Sequence, residues 1–359
     1  MADRDEHEGI LSDLEAADRS LASALDAHAR AMQRLVALRQ RDPEGFYPEP
    51  RDTDVIARIR EALTVFPPKD VEPLVRELLG VSASLVAPRR IGFLGADGGF
   101  AHLAARRHFG HAASYFAQDD VEALFEDVRR ERVSSAVVPL ETSTEGAVTG
   151  TLLGLAGSEE VRITAELTVP GAYHLYVPAG EGPVTKIYGA VPALGACEHY
   201  LQREHASATI LDVPSGEEAA RRARDDEGAA VLGTELLSSL WGLTRIAEHV
   251  EDVPDAQTRY AVVGRRPTRR TGRDRTLVAM ALNDAPGALY ESLAPFADRG
   301  VNLTRLESRP TPRGPWRYVF FLEMDGHVTD RNLVTALEDM RVKSRHLRVL
   351  GSYPRPAEG

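Results

Sequence analysis

At residue 88 the hydrophobic period of this chain changes, and the change limits what each part can become. Upstream, apolar residues recur on steps of three and four, at Leu11, Leu14, Leu21, Leu25, Met32 and Leu35. That spacing predicts a long helix with one face turned inward. Downstream, short β-type runs at 91–95, 113–117, 135–139, 161–177, 184–188, 207–213 and 229–232 alternate with helical patterns at 100–109, 119–131, 193–204 and 216–226. Ser215 and Glu218 form a capping box for the last of these helices. Alternation at this pace predicts an α/β domain of mostly parallel strands, with ligands on loops at their carboxyl ends. The loops after 91–95 and 135–139 are the first places to look.

The helical part has its own demands. Continued through positions 18, 28 and 39, the stripe carries Asp18, His28 and Arg39, and polar groups on an inward face need partners. Three prolines and a glycine in 41–50 end this helix; further helices are expected over 52–63 and 68–85. Three helices, the first much the longest, close a core poorly, which points to association between copies.

The chain of 359 residues has room for two or three domains at roughly 150 residues each. With 43 Lys+Arg against 54 Asp+Glu its formal charge is −11, which argues against a general nucleic-acid binder. Cys197 is the one cysteine, so no disulfide framework or thiolate metal cluster can form. No apolar run approaches the roughly 20 residues needed to span a bilayer, and the acidic start MADRDEHEGI is no signal peptide. The expectation is a cytoplasmic protein with no membrane or nucleic-acid partner. Six arginines in 264–275 read as a solvated linker rather than an anion site. Residues 276–354 follow the order β-α-β-β-α-β, with helices over 287–299 and 330–342 and inner strands near 301–308 and 316–324: a ferredoxin-like unit.

The stretch from NDAPGALYESL to FFLEMDGH, closing with VLGSYPR, resembles the regulatory ACT domain of phenylalanine-biosynthetic enzymes. The resemblance implies an amino-acid effector site between subunits, for phenylalanine or a close analogue. Its two motifs are intact as Gly287, Ala288, Leu289 and as Glu307, Ser308, Arg309, Pro310. A helix opening at a glycine also offers backbone N–H groups to a carboxylate.

Segments IGFLGADGGFAHLAARRHFG, SSAVVPLETSTEGAV and DAQTRYAVVG resemble prephenate dehydratase over residues 90–264. The reaction so implied removes carbon dioxide and a ring hydroxyl from prephenate to give phenylpyruvate. It calls for no metal and no organic cofactor, only donors for two carboxylates and help for the departing hydroxyl. Thr-Arg-Phe of the family stands as Thr258, Arg259 and Tyr260; the threonine would assist loss of the hydroxyl and the arginine would meet a carboxylate. Glu-Asn-Ser becomes Glu141, Thr142, Ser143, and the Gly-Thr-Phe-Ser loop becomes Gly98, Gly99, Phe100, Ala101. A Ser-His-Pro-Gln segment is replaced by Gly189, Ala190, Val191, Pro192. Thr258, Arg259 and Glu141 are therefore the catalytic candidates; Ser143, Thr142, Gly98, Gly99, Phe100 and Tyr260 are the substrate-binding ones. Plainer roles compete: Thr258 and Arg259 as an ordinary strand pair, Glu141 and Ser143 as caps for a helix near 146–155, and His102 and Cys197 as structural residues.

The helical start is similar to the small chorismate mutase domain that often precedes this dehydratase. Asp18, Arg39, Asp52, Ser82 and the 48–54 segment keep the family register. Expected arginines are Leu11 and His28, a further arginine and glutamate are Val55 and Ile56, and a glutamine is Val86. Loss of those cations removes the electrostatic preorganisation such a site needs, so the domain is read as inactive and kept for dimerisation. The parts are then 1–87, mutase-like and helical; 88–264, a two-lobed α/β dehydratase of periplasmic-binding-protein type; 265–275, a linker; and 276–359, the ACT domain. Three functions stand: a regulated prephenate dehydratase in a homodimer or homotetramer, a non-aromatising prephenate decarboxylase, and a catalytically dead amino-acid sensor. Thr258 favours the first.

Overall fold

Helices alone build the first of two units into which the chain divides in the computed structural model, Met1–Arg89 with Arg106–Ser114; Arg90–Ala105 and Tyr115–Gly359 form the second. The structure describes residues 2–41, 52–85, 88–178, 182–310 and 318–356. In the first unit, α2 (Asp52–Ala62) and α3 (Pro68–Ser84) follow α1 (Ala2–Arg41). Val55, Ile56, Val71, Val75 and Leu79 make the core between α2 and α3. Pro67 is extended and Pro68 opens α3, where the amide that proline lacks has no intrahelical acceptor.

The first part of the stripe on α1 does not turn inward, while Met32 and Leu35 are half-buried. Leu11, Leu14, Leu21 and Leu25 are 46, 56, 59 and 41 % exposed. A 40-residue helix has more apolar length than partners of 11 and 17 residues can cover. Asp18 is exposed. His28 reaches its partner, with Nδ1 3.1 Å from Ser82 Oγ. The helix break at 42–50, the Arg39 side chain and Val86 lie outside the described residues.

The second unit begins with β1 (Arg90–Leu94), α4 (Phe100–Phe109), β2 (Ser114–Gln118), α5 (Val121–Arg129), β3 (Ser135–Thr142), β4 (Gly146–Ala147), α6 (Thr149–Gly157) and β5 (Arg162–Pro170). A second lobe follows: β6 (His174–Val177), β7 (Lys186–Ala190), α7 (Val191–Ala196), α8 (Glu198–Glu204), β8 (Thr209–Val213), α9 (Gly216–Arg224), β9 (Ala229–Gly233), α10 (Leu236–Trp241) and β10 (Thr244–Glu248). β11 (Gln257–Gly264) then returns to the first lobe. Strand orders are β2-β1-β3-β11-β5, with β4 beside β3, and β10-β6-β9-β7-β8.

The sheets are mixed rather than mostly parallel. β1 with β3, and β7 with β8 and β9, run parallel. β11 runs antiparallel to both β3 and β5, because it re-enters from the other lobe rather than through a helical crossover. For the same reason the run at 161–177 is two strands, parted at 171–173 where the chain changes sheet. Ser215 Oγ does accept the Glu218 amide at 3.1 Å, opening α9 as its sequence predicts.

The last part holds β12 (Asp274–Ala281), α11 (Ala288–Asp298), β13 (Leu303–Pro310), β14 (Tyr318–Asp325), α12 (Arg331–Lys343) and β15 (His346–Pro354), in sheet order β13-β14-β12-β15. The helices cover one face, over Val278, Met280, Leu322 and Met324. The other face sends Leu277, Ala279, Phe321, Leu350 and Tyr353 into one core with Ile163, Ala261 and Val263 of the first lobe. Contact there is backbone-close: a Cβ on Gly351 would stand 2.4 Å from the Ile163 carbonyl oxygen. The basic stretch is no free tether, since the Thr268 hydroxyl donates to the Ser352 carbonyl and Arg275 is mostly buried among carboxylates. Among the described residues no helix is long and apolar enough to cross a membrane.

Candidate functional site

Alternation along β11 sends Thr258 and Tyr260 to one face and Arg259 to the other. Arg259 shares its face with Ala261 and Val263, which join the core beneath the ferredoxin-like sheet. Thr258 therefore faces away from that sheet. It shares that face with Tyr260, which is 4 % exposed. Burial, with Tyr173 nearby, holds the Tyr260 phenol above its ordinary pKa, while the Thr258 hydrogen bond pulls it back. The phenol stays protonated and can direct the Thr258 hydroxyl.

Tyr173, in the crossing between lobes, sits edge-on to Phe100 with ring centroids 5.0 Å apart. Phe100 opens α4 directly after the glycine loop. Gly98 holds φ +79°, and a Cβ there would meet Leu237 at 2.9 Å and Trp241 at 3.0 Å. Only glycine fits that turn against α10. The second lobe also grips the loop through Thr234 Oγ1, which donates to the Gly98 carbonyl at 2.5 Å. On the inner side, the Gly98 amide meets His102 Nδ1 at 3.3 Å, and His102 stacks on Phe93 at 4.5 Å. Gly99 donates its amide to the Ala96 carbonyl, 3.1 Å. His102 thus braces the loop from within α4.

Thr142 lies across from Thr258 in the ladder. Its Oγ1 accepts the Glu145 amide at 2.9 Å, while Ser143 Oγ accepts the Gln257 amide at 3.0 Å. Thr142 thus closes the turn after β3, and Ser143 ties the β3 end to the start of β11. The cap for α6 comes from neither Glu141 nor Ser143: Val148 holds that position and makes no side-chain cap. Cys197 is fully buried, and burial, with Asp252 and Glu251 adding, pushes its thiol up to about 12. It is a core residue.

On the opposite face Arg259 is fully engaged. Its Nη1 reaches Glu141 at 2.8 Å, and its Nη2 reaches Glu166 at 2.6 Å and Glu323 at 2.8 Å. Arg275 meets Glu166 at 2.5 Å and Glu323 at 3.1 Å. Arg305 meets the same Glu141 oxygen at 3.0 Å and Glu307 at 3.4 Å; Arg309 closes on Glu307 at 3.2 Å. Glu166 and Glu323 have only 2 % of their side chains exposed. Burial works against the charged guanidinium of Arg259, but Glu166 and Glu323 outweigh it and hold its pKa above the ordinary value. The structure thus sets Arg259 and Glu141 on the side away from Thr258, where the sequence expectation had all three act together.

The second motif is likewise split. A register shift between Leu303 and Arg305 resets the alternation of β13, so Arg305, Glu307 and Arg309 pair with Glu323, Phe321 and Val319. Leu306, Ser308 and Pro310 pair with Leu322, Phe320 and Tyr318, on the face that bears the helices. Gly287, at φ +80°, precedes α11 on that same face, with Ala288 and Leu289 in its first turn.

Residues 91–268 match the prephenate dehydratase family and residues 276–341 match the ACT domain. The bifunctional chorismate mutase/prephenate dehydratase of Pseudomonas aeruginosa is 32% identical over 366 aligned residues, 99% of each chain. The chain belongs to the prephenate dehydratase family. A prephenate dehydratase of Mycolicibacterium smegmatis is 35% identical over 239 residues, 66% of this chain and 77% of that one. The crystal structure of the Arthrobacter aurescens prephenate dehydratase in complex with L-Phe superposes with a TM-score of 0.66 at 35% identity, covering 74% of this chain and 90% of that one.

Within this prephenate dehydratase fold several residues escaped the sequence reading. Thr234 and Tyr173 carry no motif, and only the meeting of two lobes gives them a place. Glu166 and Glu323 did leave a signal, a carboxylate alternating into the apolar strands RITAELTVP and YVFFLEMD. Such a residue demands a buried cation.

Proposed function

We propose that this chain converts prephenate to phenylpyruvate and that phenylalanine, or a close analogue, regulates it through the ACT domain. The observation that carries the reading is Thr258, on the face of β11 that also bears the buried Tyr260, whose neighbour Tyr173 packs on Phe100 at the end of the glycine loop. In the reaction the bond to the ring carboxylate breaks, its electron pair enters the ring, and the ring hydroxyl departs with a proton as water. Thr258 donates a hydrogen bond to that departing oxygen, and Tyr260 fixes the direction of the donor. Arg259 and Glu141 serve as connectors. The amides of Gly98 and Gly99 are taken by His102 and the Ala96 carbonyl, so the substrate carboxylates fall to the Phe100 amide that opens α4 and to the hydroxyls of Thr142 and Ser143. No metal or organic cofactor enters this scheme.

Incubation with prephenate, read by mass spectrometry, should give phenylpyruvate. A product one water heavier, having lost only carbon dioxide, would establish the non-aromatising decarboxylase in its place; untouched prephenate would leave the sensor. Chorismate should remain unconverted, because Val55 and Ile56 fill the helical core with apolar side chains where the mutase resemblance expects an arginine and a glutamate.

The α1 stripe supports a further part of the proposal, a homodimer of this biosynthetic, cytoplasmic enzyme, or a homotetramer built from it, in which a second copy covers Leu14 and Leu21. Replacing both with glutamate should halve the mass seen by sedimentation. An unchanged mass would place the subunit contact elsewhere.

A further inference from the structure

We infer that Arg305 is a positioning residue through which the effector strand of the ACT domain sets the placement of Thr258; the inference rests on the dehydratase and effector readings above. Three facts of geometry carry it. First, one carboxylate oxygen, Glu141 Oε2, is shared by two cations on different strands, Arg259 Nη1 at 2.8 Å and Arg305 Nη1 at 3.0 Å. Glu141 cannot follow one of them without leaving the other.

Second, each cation is a near neighbour of a functional group on its own strand. Arg259 adjoins Thr258, and Arg305 lies two residues before Glu307, to which it is also paired. Ser308 takes the helix-bearing face while Arg305, Glu307 and Arg309 take the one turned toward the first lobe. A ligand drawn to Ser308 and the Gly287 turn therefore meets one side of β13, and its displacement of that strand is delivered on the other side, at Glu141.

Third, the ladder that joins the two strands has a place to yield. The β11–β3 pairing shifts register between Arg259 and Tyr260, and the unmatched residue is Leu140 of β3, next to Glu141. An interruption beside Glu141 lets that carboxylate and its partner Arg259 shift without moving the whole sheet, and Thr258 follows as the neighbour of Arg259. The rest of the network is fixed: Glu166 and Glu323 are buried and doubly bridged by Arg259 and Arg275. Glu141, with 27 % of its side chain exposed, is the more accessible joint between the two domains.

The test compares turnover of prephenate with and without phenylalanine, alongside calorimetry with phenylalanine, on the full chain. The parent should bind phenylalanine and change its turnover by about 5- to 150-fold in either direction, the ordinary span of coupling between sites. Arg305→Gln keeps Glu141 paired with Arg259, so basal turnover should stay within about threefold, and phenylalanine should still bind while its effect on turnover falls below about twofold. Arg305→Lys, which restores the charge, should recover most of the effect. A full phenylalanine response in Arg305→Gln overturns the role of Arg305 and leaves the dehydratase reading intact. Binding by the parent without any change in turnover also overturns it. Absence of heat from the parent refutes the effector assignment and the Arg305 role together, while phenylpyruvate formation still stands for the catalytic reading.

Discussion

Replacing Thr258 with alanine is expected to lower turnover of prephenate by about 100-fold, equivalent to about 2.7 kcal/mol of transition-state stabilisation. KM should hold within about threefold, because the hydroxyl acts on an oxygen that leaves rather than on one that anchors the substrate. Serine keeps the donor but lacks the methyl that fixes its rotamer, so Thr258→Ser should retain at least a tenth of the parent rate. Tyr260→Phe, which restores the residue type of the family motif, should lie between: the Thr258 hydroxyl stays and loses its buried guide. Steady-state rates of phenylpyruvate formation decide the matter. Turnover unaltered in Thr258→Ala would remove the residue from the chemistry and leave it as an ordinary strand position.

The motif around Thr258 was legible in the sequence because it is local. Three adjacent residues identify a strand, and strand alternation then separates their roles. The alternation was available from the residues alone, yet the family resemblance drew Thr258, Arg259 and Glu141 into one site. Period-2 geometry sets Thr258 and Arg259 on opposite faces, since neighbours on a strand share a face only where a bulge falls between them. The register shift beside them falls on the partner strand, where Leu140 is unmatched, and β11 itself alternates regularly. The four strands and two helices of the last domain were likewise readable, from their own period and turns. What no local pattern contains is which buried cation answers which buried carboxylate: Arg259 and Glu323 stand 64 residues apart. The exposed face of α1 failed for a related reason. Periodicity reports that a face is apolar, and it does so equally for a face covered within the chain and for one left open.

Arg259→Met is expected to be the most destabilising change in the second unit. It removes a guanidinium from between three carboxylates, two of which have 2 % exposed side chains. The parent cluster balances Arg259, Arg275 and Arg305 against Glu141, Glu166 and Glu323; the variant leaves one negative charge in excess. Breaking a buried pair from one side costs about 3–5 kcal/mol, because the remaining charge stays desolvated. For a unit of this size that is on the order of 10 °C in melting temperature. The double variant Arg259→Met with Glu323→Gln restores neutrality and should regain at least half of the loss, a recovery that simple loss of packing could not produce. Scanning calorimetry gives the temperatures, and KM for prephenate gives the contrast. Should Arg259→Met melt with the parent and raise KM tenfold or more, the guanidinium would be a substrate ligand. A lowered melting temperature with KM held near the parent value, measured well below the transition, fits an arginine held by Glu141, Glu166 and Glu323. In that case the same residue that ties the catalytic strand to the ACT sheet also sets how firmly the two domains are joined, and regulation and stability share one set of charges.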